Sequence, residues 1–126
     1  MDKLQLNQFL DRYVSMWHES DASAREALVR SLWAVDAENF TNKFAVRGID
    51  AILQRVARAN QDWVVAKKCM FRSAGNTDFH NFMVKFFWEM LPISGGPLEA
   101  RGLDIFVLNK KGLIQALYQF GEPLNP

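Results

Sequence analysis

Apolar side chains in the first half of the chain recur at three- and four-residue spacing, and in the second half at every second position. Helices should therefore come first and strands after. Leu6, Phe9, Leu10, Tyr13, Val14 and Trp17 form one stripe, which predicts an amphipathic helix from about Asp2 to Glu19 with Tyr13 on its buried side. Ser20-Asp21 interrupts it. A second helix opens at Ser23-Ala24-Arg25-Glu26, which fits a capping box, or at Asp21, and turns Ala27, Leu28, Leu32 and Trp33 inward. Glu38 to Asn42 has the composition of a short strand running into a loop. Gly48 precedes a third stripe, Ile49, Ile52, Leu53, Val56 and Ala57, whose helix should end near Asn60. From Trp63 the pattern is β: Trp63 to Ser73, a turn at Gly75-Asn76-Thr77, then Phe79 to Leu91. That last run puts Phe82, Val84, Phe86, Trp88 and Met90 on one side and Asn81, Met83, Lys85, Phe87 and Glu89 on the other. Periodicity alone leaves open which side turns inward. Pro92 to Pro97 is a loop that no strand can run through.

Gly102 to Phe120 reads as two strands joined by Asn109-Lys110-Lys111-Gly112. Asn at the first turn position and Gly at the fourth suit a type I turn closed by a residue that tolerates positive φ. With Leu108 facing Leu113, Phe106 would pair with Gln115 and Asp104 with Leu117. One face would carry Ala100, Gly102, Asp104, Phe106, Gln115, Leu117 and Gln119, and the other Leu103, Ile105, Val107, Ile114, Ala116, Tyr118 and Phe120. The mixed face is expected to line a pocket, and the apolar face to meet a second copy of the chain in a homodimer. Asp104 is the unusual residue, a carboxylate among Leu103, Ile105, Phe106, Val107 and Leu108. Left ionised and unpaired in such surroundings it would be very costly, so it should be neutral or hold a partner. Glu122 to Pro126 follows as a polar tail.

Three helices followed by three or four long antiparallel strands is an α+β pattern. It predicts three N-terminal helices packed on one face of a curved, antiparallel-rich sheet, enclosing a cone-shaped pocket. At 126 residues this fits one domain spanning 1–126, with ten Phe and four Trp to fill its interior. Fifteen basic and fourteen acidic residues are scattered to a net charge of +1, which offers no footprint for nucleic acid or an anionic membrane. The opening MDKLQLNQFLDR lacks the apolar core of a signal peptide, and no run approaches the ~18 apolar residues of a membrane span, so a cytoplasmic protein is expected. The lone Cys69 excludes an internal disulfide and a cysteine-based zinc site, and reads as a small buried hydrophobe. His18 suits the helix C-terminus as a cation, His80 a strand rim, and the pair without clustered carboxylates implies no metal and no cofactor.

Several of these residues fall in a familiar order. Arg12-Tyr13-Val14, Leu32-Trp33-Ala34-Val35-Asp36-Ala37, Arg47-Gly48-Ile49, and Gly102-Leu103-Asp104 through Gly112-Leu113-Ile114 resemble SnoaL-like and ketosteroid-isomerase-like proteins of the nuclear transport factor superfamily. The resemblance spans nearly the whole chain and implies the cystatin-like fold of that superfamily. It further implies that Tyr13 and Asp104 stand where a tyrosine and an aspartic acid form an oxyanion hole. A second aspartate should move the proton, but the segment that would carry it reads Phe40-Thr41-Asn42-Lys43, with no carboxylate. In SnoaL-like polyketide cyclases the residue resembling Asp104 is itself the acid or base.

Asp104 and Tyr13 are therefore the catalytic candidates. Phe86, Trp88, Phe106, Leu117 and Gln119 are the candidate ligand contacts, although the aromatic ones, with Trp17, Trp33 and Trp63, count as core before any is read as a substrate platform. Three functions are open on this reading: an enzyme acting on a lipophilic ring compound, a non-catalytic pocket for a hydrophobic small molecule, and a dimerisation module.

Overall fold

A computed structural model describes residues 1–124; the last two residues of the expected polar tail lie outside the described ones. Asp2 caps α1 (Lys3–His18), its carboxylate accepting from the Gln5 N–H while the Gln5 side chain accepts from the Asp2 N–H. This reciprocal capping satisfies two otherwise orphaned donors. Of the two starts open for α2 (Ala22–Leu32), Asp21 is the cap, accepting from the Ala24 N–H at 2.9 Å. Val29 and Leu32 are its buried residues, while Ala27 is exposed rather than inward. Gly48, at φ +86°, turns the chain into α3 (Ile49–Ala59), a position an L side chain rarely adopts.

The strands are β1 (Trp33–Phe40), β2 (Ala45–Arg47), β3 (Cys69–Ser73), β4 (Asp78–His80), β5 (Met83–Pro92), β6 (Ala100–Leu108) and β7 (Ile114–Glu122). They form one open sheet in the order β2-β1-β7-β6-β5-β3, with β4 paired to β5. Every pairing is antiparallel except β1 with β7. Helices and sheet share a core that includes Phe9, Tyr13, Met16, Ile52, Val56, Phe86, Phe106 and Leu117. The α+β architecture expected from the sequence is the one observed, with seven strands instead of three or four.

Three local expectations are corrected. Trp63 does not begin a strand, because α3 runs on into a π-helical segment, Asn60–Ala66, before β3 starts at Cys69. Buried Asn60 anchors that segment to α1, donating to the Trp17 carbonyl at 2.9 Å. Phe79 to Leu91 is not one strand either: Asn81 and Phe82 both take positive φ and fold β4 back on β5, which leaves Phe82 exposed.

The third correction concerns the final hairpin. Its turn forms as expected, with Gly112 at φ +81° and Asn109 accepting from Gly112 and, through its side chain, from Lys111 and Leu113. Beyond the turn, Val107 faces Ala116 but Leu108 faces Ile114, so Gln115 is an extra, bulged residue. The bulge moves the register: Phe106 pairs with Leu117, and Asp104 with Gln119 instead of Leu117. It also turns Ile114 into the core and Gln115 outward, where it donates to Asp36.

Gly102 is where the sheet is least tolerant. It pairs with Trp88, and a Cβ on it would lie 2.4 Å from the indole Cζ2 and 2.6 Å from the Phe120 carbonyl oxygen. Neither the backbone nor a packed indole yields easily to such overlap. Gly102→Ala is expected to destabilise the protein by about 2 kcal/mol, as overpacked sites typically do, read as a lower urea midpoint with an unchanged slope.

Candidate functional site

Asp104 is held from three directions. Phe86 faces it across the β5–β6 pair, which puts Trp88 two residues along the same strand face. With no side chain on Gly102 in its way, the Trp88 indole crosses β6 and donates Nε1–H to Asp104 Oδ1 at 3.0 Å. Tyr13, on the buried stripe of α1, donates its hydroxyl to Oδ2 at 3.0 Å. Gln119, opposite on β7, spans both oxygens with its amide nitrogen at 3.3 and 3.4 Å. Asp104 is 1% exposed and Tyr13 2%, and Tyr13 packs edge-on against Trp17, Phe86 and Phe106.

A second charge stands one residue away. The Gln119 side-chain oxygen Oε1 accepts from Arg55 Nη2, and the buried Asn39 side-chain oxygen accepts from Arg55 Nε at 2.6 Å. Gln119 thus connects the guanidinium to the carboxylate without their touching. The Arg55 guanidinium also lies 5.3 Å from the Trp17 ring centre and 5.0 Å from that of Phe44, so aromatic faces replace part of its hydration.

These groups line one end of a cavity of about 470 Å³. Trp17, Trp63, Phe71, Phe86, Trp88 and Met90 supply its walls, and the exposed Asn42, Lys43, Phe44 and Glu99 its rim. Ala100 and Asp104, both in its lining, lie four positions apart on β6, so the cavity runs roughly 13 Å down the strand. Tyr13, Asp104, Phe86, Trp88 and Gln119 all line it, whereas Phe106 and Leu117, both fully buried, stand behind the wall in the core. Of the two faces of β5, the one bearing Phe86, Trp88 and Met90 is the inner one.

Thr41 lies at the rim. Its hydroxyl accepts from the Lys43 and Phe44 N–H groups and shapes the 41–44 turn. Sequence reasoning missed Arg55, Asn39 and Glu99, and it counted Trp63 as core where the structure has it line the cavity. Arg55 follows Ile52 by three residues and precedes Val56, so it flanks the buried stripe of α3 instead of opposing it, and that position was its signal. His18 is not the cation expected at a helix end: its Nε2 accepts from the Phe71 N–H at 2.9 Å, and burial lowers its pKa. Cys69 is buried, and its thiol donates to Glu99 at 3.1 Å. Among the described residues no cluster suited to a metal occurs, and no helix is long and apolar enough to cross a membrane.

Burial pushes the Asp104 carboxyl up from 3.8 to about 6, against the downward pull of Tyr13, Trp88, Gln119 and the charge on Arg55. The Tyr13 hydroxyl is pushed well above its ordinary value by burial and then by Asp104, so it remains a neutral donor. Because the folded carboxyl binds its proton more tightly than the unfolded one, its contribution to stability is fully present below about 3.8 and is lost as the pH rises to about 6. The loss amounts to about 3 kcal/mol. Asp104→Asn has no proton to lose, and His18 titrates alike in both proteins. Urea unfolding should therefore show the variant gaining about 3 kcal/mol on the wild type between pH 3 and pH 8; a constant difference would refute the shift.

No family model and no curated protein matches this sequence. Solved structures do. A candidate isomerase of the SnoaL-like family from Agrobacterium tumefaciens is 25% identical over 92% of this chain and 96% of its own, with a TM-score of 0.82. A nuclear-transport-factor-2-like protein of unknown function from Exiguobacterium is 24% identical over 90% and 98%, with a TM-score of 0.70. A candidate polyketide cyclase from Sinorhizobium meliloti shares the fold at 14% identity over 94% and 99%, with a TM-score of 0.69. With three helices on one face of an open mixed sheet and this likeness over most of its length, the chain belongs by fold to the SnoaL-like, nuclear-transport-factor-like superfamily.

Proposed function

We propose that this chain binds a lipophilic small molecule in the cavity and that Asp104 moves a proton on it, isomerising or cyclising the bound compound. One observation carries the reading: a carboxylate 1% exposed ends an aromatic-walled cavity and is held there by three side-chain donors. An acid titrating near 6 is mostly ionised at neutral pH yet basic enough to take a proton from carbon. The names of the Agrobacterium and Sinorhizobium relatives, candidate isomerase and candidate polyketide cyclase, point the same way.

Enone isomerisation and aldol cyclisation both begin with loss of a proton beside a carbonyl. A carboxylate oxygen of Asp104 takes that proton, the C–H electron pair becomes a carbon–carbon π bond, and the carbonyl π pair moves onto oxygen to give an enolate. Protonated Asp104 then returns the proton to a different carbon, or the enolate carbon attacks a second carbonyl, whose π pair moves onto oxygen, and Asp104 returns the proton to the alkoxide so formed. Tyr13 is a positioning residue in this step, since its one proton is already given to Asp104 Oδ2. With Thr41 committed to its turn, Asp104 both takes and returns the proton. Phe86, Trp88 and Gln119 contact the ligand along the wall, and Phe106 and Leu117 support them from behind.

In this reading the protein works as a homodimer. The sheet face away from the helices exposes Met83, Tyr118 and Phe120, with Leu103 paired to Phe120 and Ile105 to Tyr118, and a second copy covers it. Light scattering at micromolar concentration should give twice the chain mass, and a monomer there would sink the proposal.

The proton transfer is tested with 2-tetralone, a ring ketone whose C1 protons exchange slowly in D2O. Proton NMR should show exchange accelerated over buffer by the wild type and at least 100-fold less by Asp104→Asn. If the ketone binds but its exchange rate equals that in buffer, the protein is a binder and not an enzyme of this kind.

A further inference from the structure

The proposed chemistry leaves one charge without an assigned role. Arg55 reaches the cavity from α3 as a half-buried guanidinium with five N–H donors. Its Nε is given to Asn39 and one Nη2 hydrogen to Gln119. Among the described residues, Nη1 has no hydrogen-bond partner and no carboxylate lies within ion-pairing distance of Arg55. A guanidinium taken this far out of water ordinarily gains a direct anionic partner. Here the nearest carboxylate is shielded by Gln119, which spends its carbonyl on Arg55 and its amide on Asp104.

The two charges consequently face the cavity side by side. Tyr13 and Trp88 donate only to Asp104, so neither has a proton left for a ligand oxygen. Trp17 and Phe44 each place a ring centre about 5 Å from the guanidinium carbon, and with Nε on Asn39 and Nη2 on Gln119, Nη1 is left as its unpaired donor nitrogen.

We propose that Arg55 is the anion anchor of this cavity, so that its ligand is an amphipathic molecule with an apolar ring body and one acidic oxygen, a carboxylate, phenolate or enolate, received by Nη1. The inference rests on the pocket reading above and gives it a ligand class. It also balances the proton transfer: when Asp104 takes a proton it becomes neutral, the new negative charge appears on the ligand oxygen, and Arg55 is the cation that meets it. The negative charge moves from Asp104 to the ligand oxygen beside Arg55, and the net charge of the site with its ligand stays constant.

The test is isothermal titration at pH 8 with two ligands of one ring system, 2-naphthoate and 2-naphthylmethanol. The wild type should bind the acid at least tenfold more tightly than the alcohol. Arg55→Gln should lose tenfold or more for the acid while staying within threefold for the alcohol, and Arg55→Lys should recover part of the loss. Should Arg55→Gln fail to fold, as judged by circular dichroism, the wild-type preference still decides, together with the Arg55 side-chain Nε–Hε signal in nitrogen-15 NMR. That signal should move with naphthoate and not with the alcohol. Alcohol bound as tightly as acid, or an Arg55 signal that ignores naphthoate, overturns the anchor and leaves the pocket standing. If neither compound binds at millimolar concentration, the pocket reading falls and the anchor with it.

Discussion

The cost of burying one carboxylate organises this molecule. Asp104 is almost wholly removed from water, and an isolated ionised group there would lose several kcal/mol of solvation. Its pKa nevertheless rises only to about 6, because Tyr13, Trp88 and Gln119 donate to it and Arg55 faces it across Gln119. Each partner comes from a different element: α1, β5, β7 and α3. The charge therefore ties the helical layer to the sheet at one point, and that point is also the closed end of the cavity. Such a network admits only one strand register. A slip of one residue between β5 and β6 would send Trp88 to the outer face and remove Gly102 from beneath it.

How far the sequence revealed this depended on whether each signal was local. The faces of α1 and α3, the Asn109–Gly112 turn and the oddity of Asp104 are carried by neighbouring residues, and they survive in the structure. Tyr13 as the partner of Asp104 came from family likeness, since no spacing rule joins residues 91 positions apart. What stayed hidden was decided at a distance or by weak punctuation. Trp63-Val64-Val65 has strand-like residues, but the helix before it and the Asn60 bond to Trp17 keep it helical. Asn81-Phe82 turns the chain without glycine or proline. The bulge at Gln115 had no signal of its own, yet it is what brings Gln119 opposite Asp104 and so completes the site.

Arg55 shows why a charged candidate is harder to read on a helix than on a strand. On β6, alternation isolates Asp104 among apolar neighbours, so the anomaly is visible. On α3 the residues beside the apolar stripe are routinely Arg or Lys, whose long stems run along apolar surface while the head stays wet. Only the positions of Trp17, Phe44 and Gln119, from three other segments, turn this flanking arginine into a cavity residue.

The shape of the cavity supports the proposed reading that these parts serve a ligand. The space of about 470 Å³ is open at its rim, so water fills it and its shape is not imposed by a packing defect. A chain with ten Phe and four Trp has ample bulk to close such a space, yet Trp88 lies over Gly102, Tyr13 meets Phe106 edge-on, and Trp17 and Phe44 brace Arg55. The aromatic side chains form its walls and leave its centre open to the rim at Phe44 and Glu99. At the inner end sit a carboxylate with all its donors and a guanidinium with donors to spare. That asymmetry is what a pocket needs in order to take a proton from one atom of a bound molecule and accept the resulting charge on another.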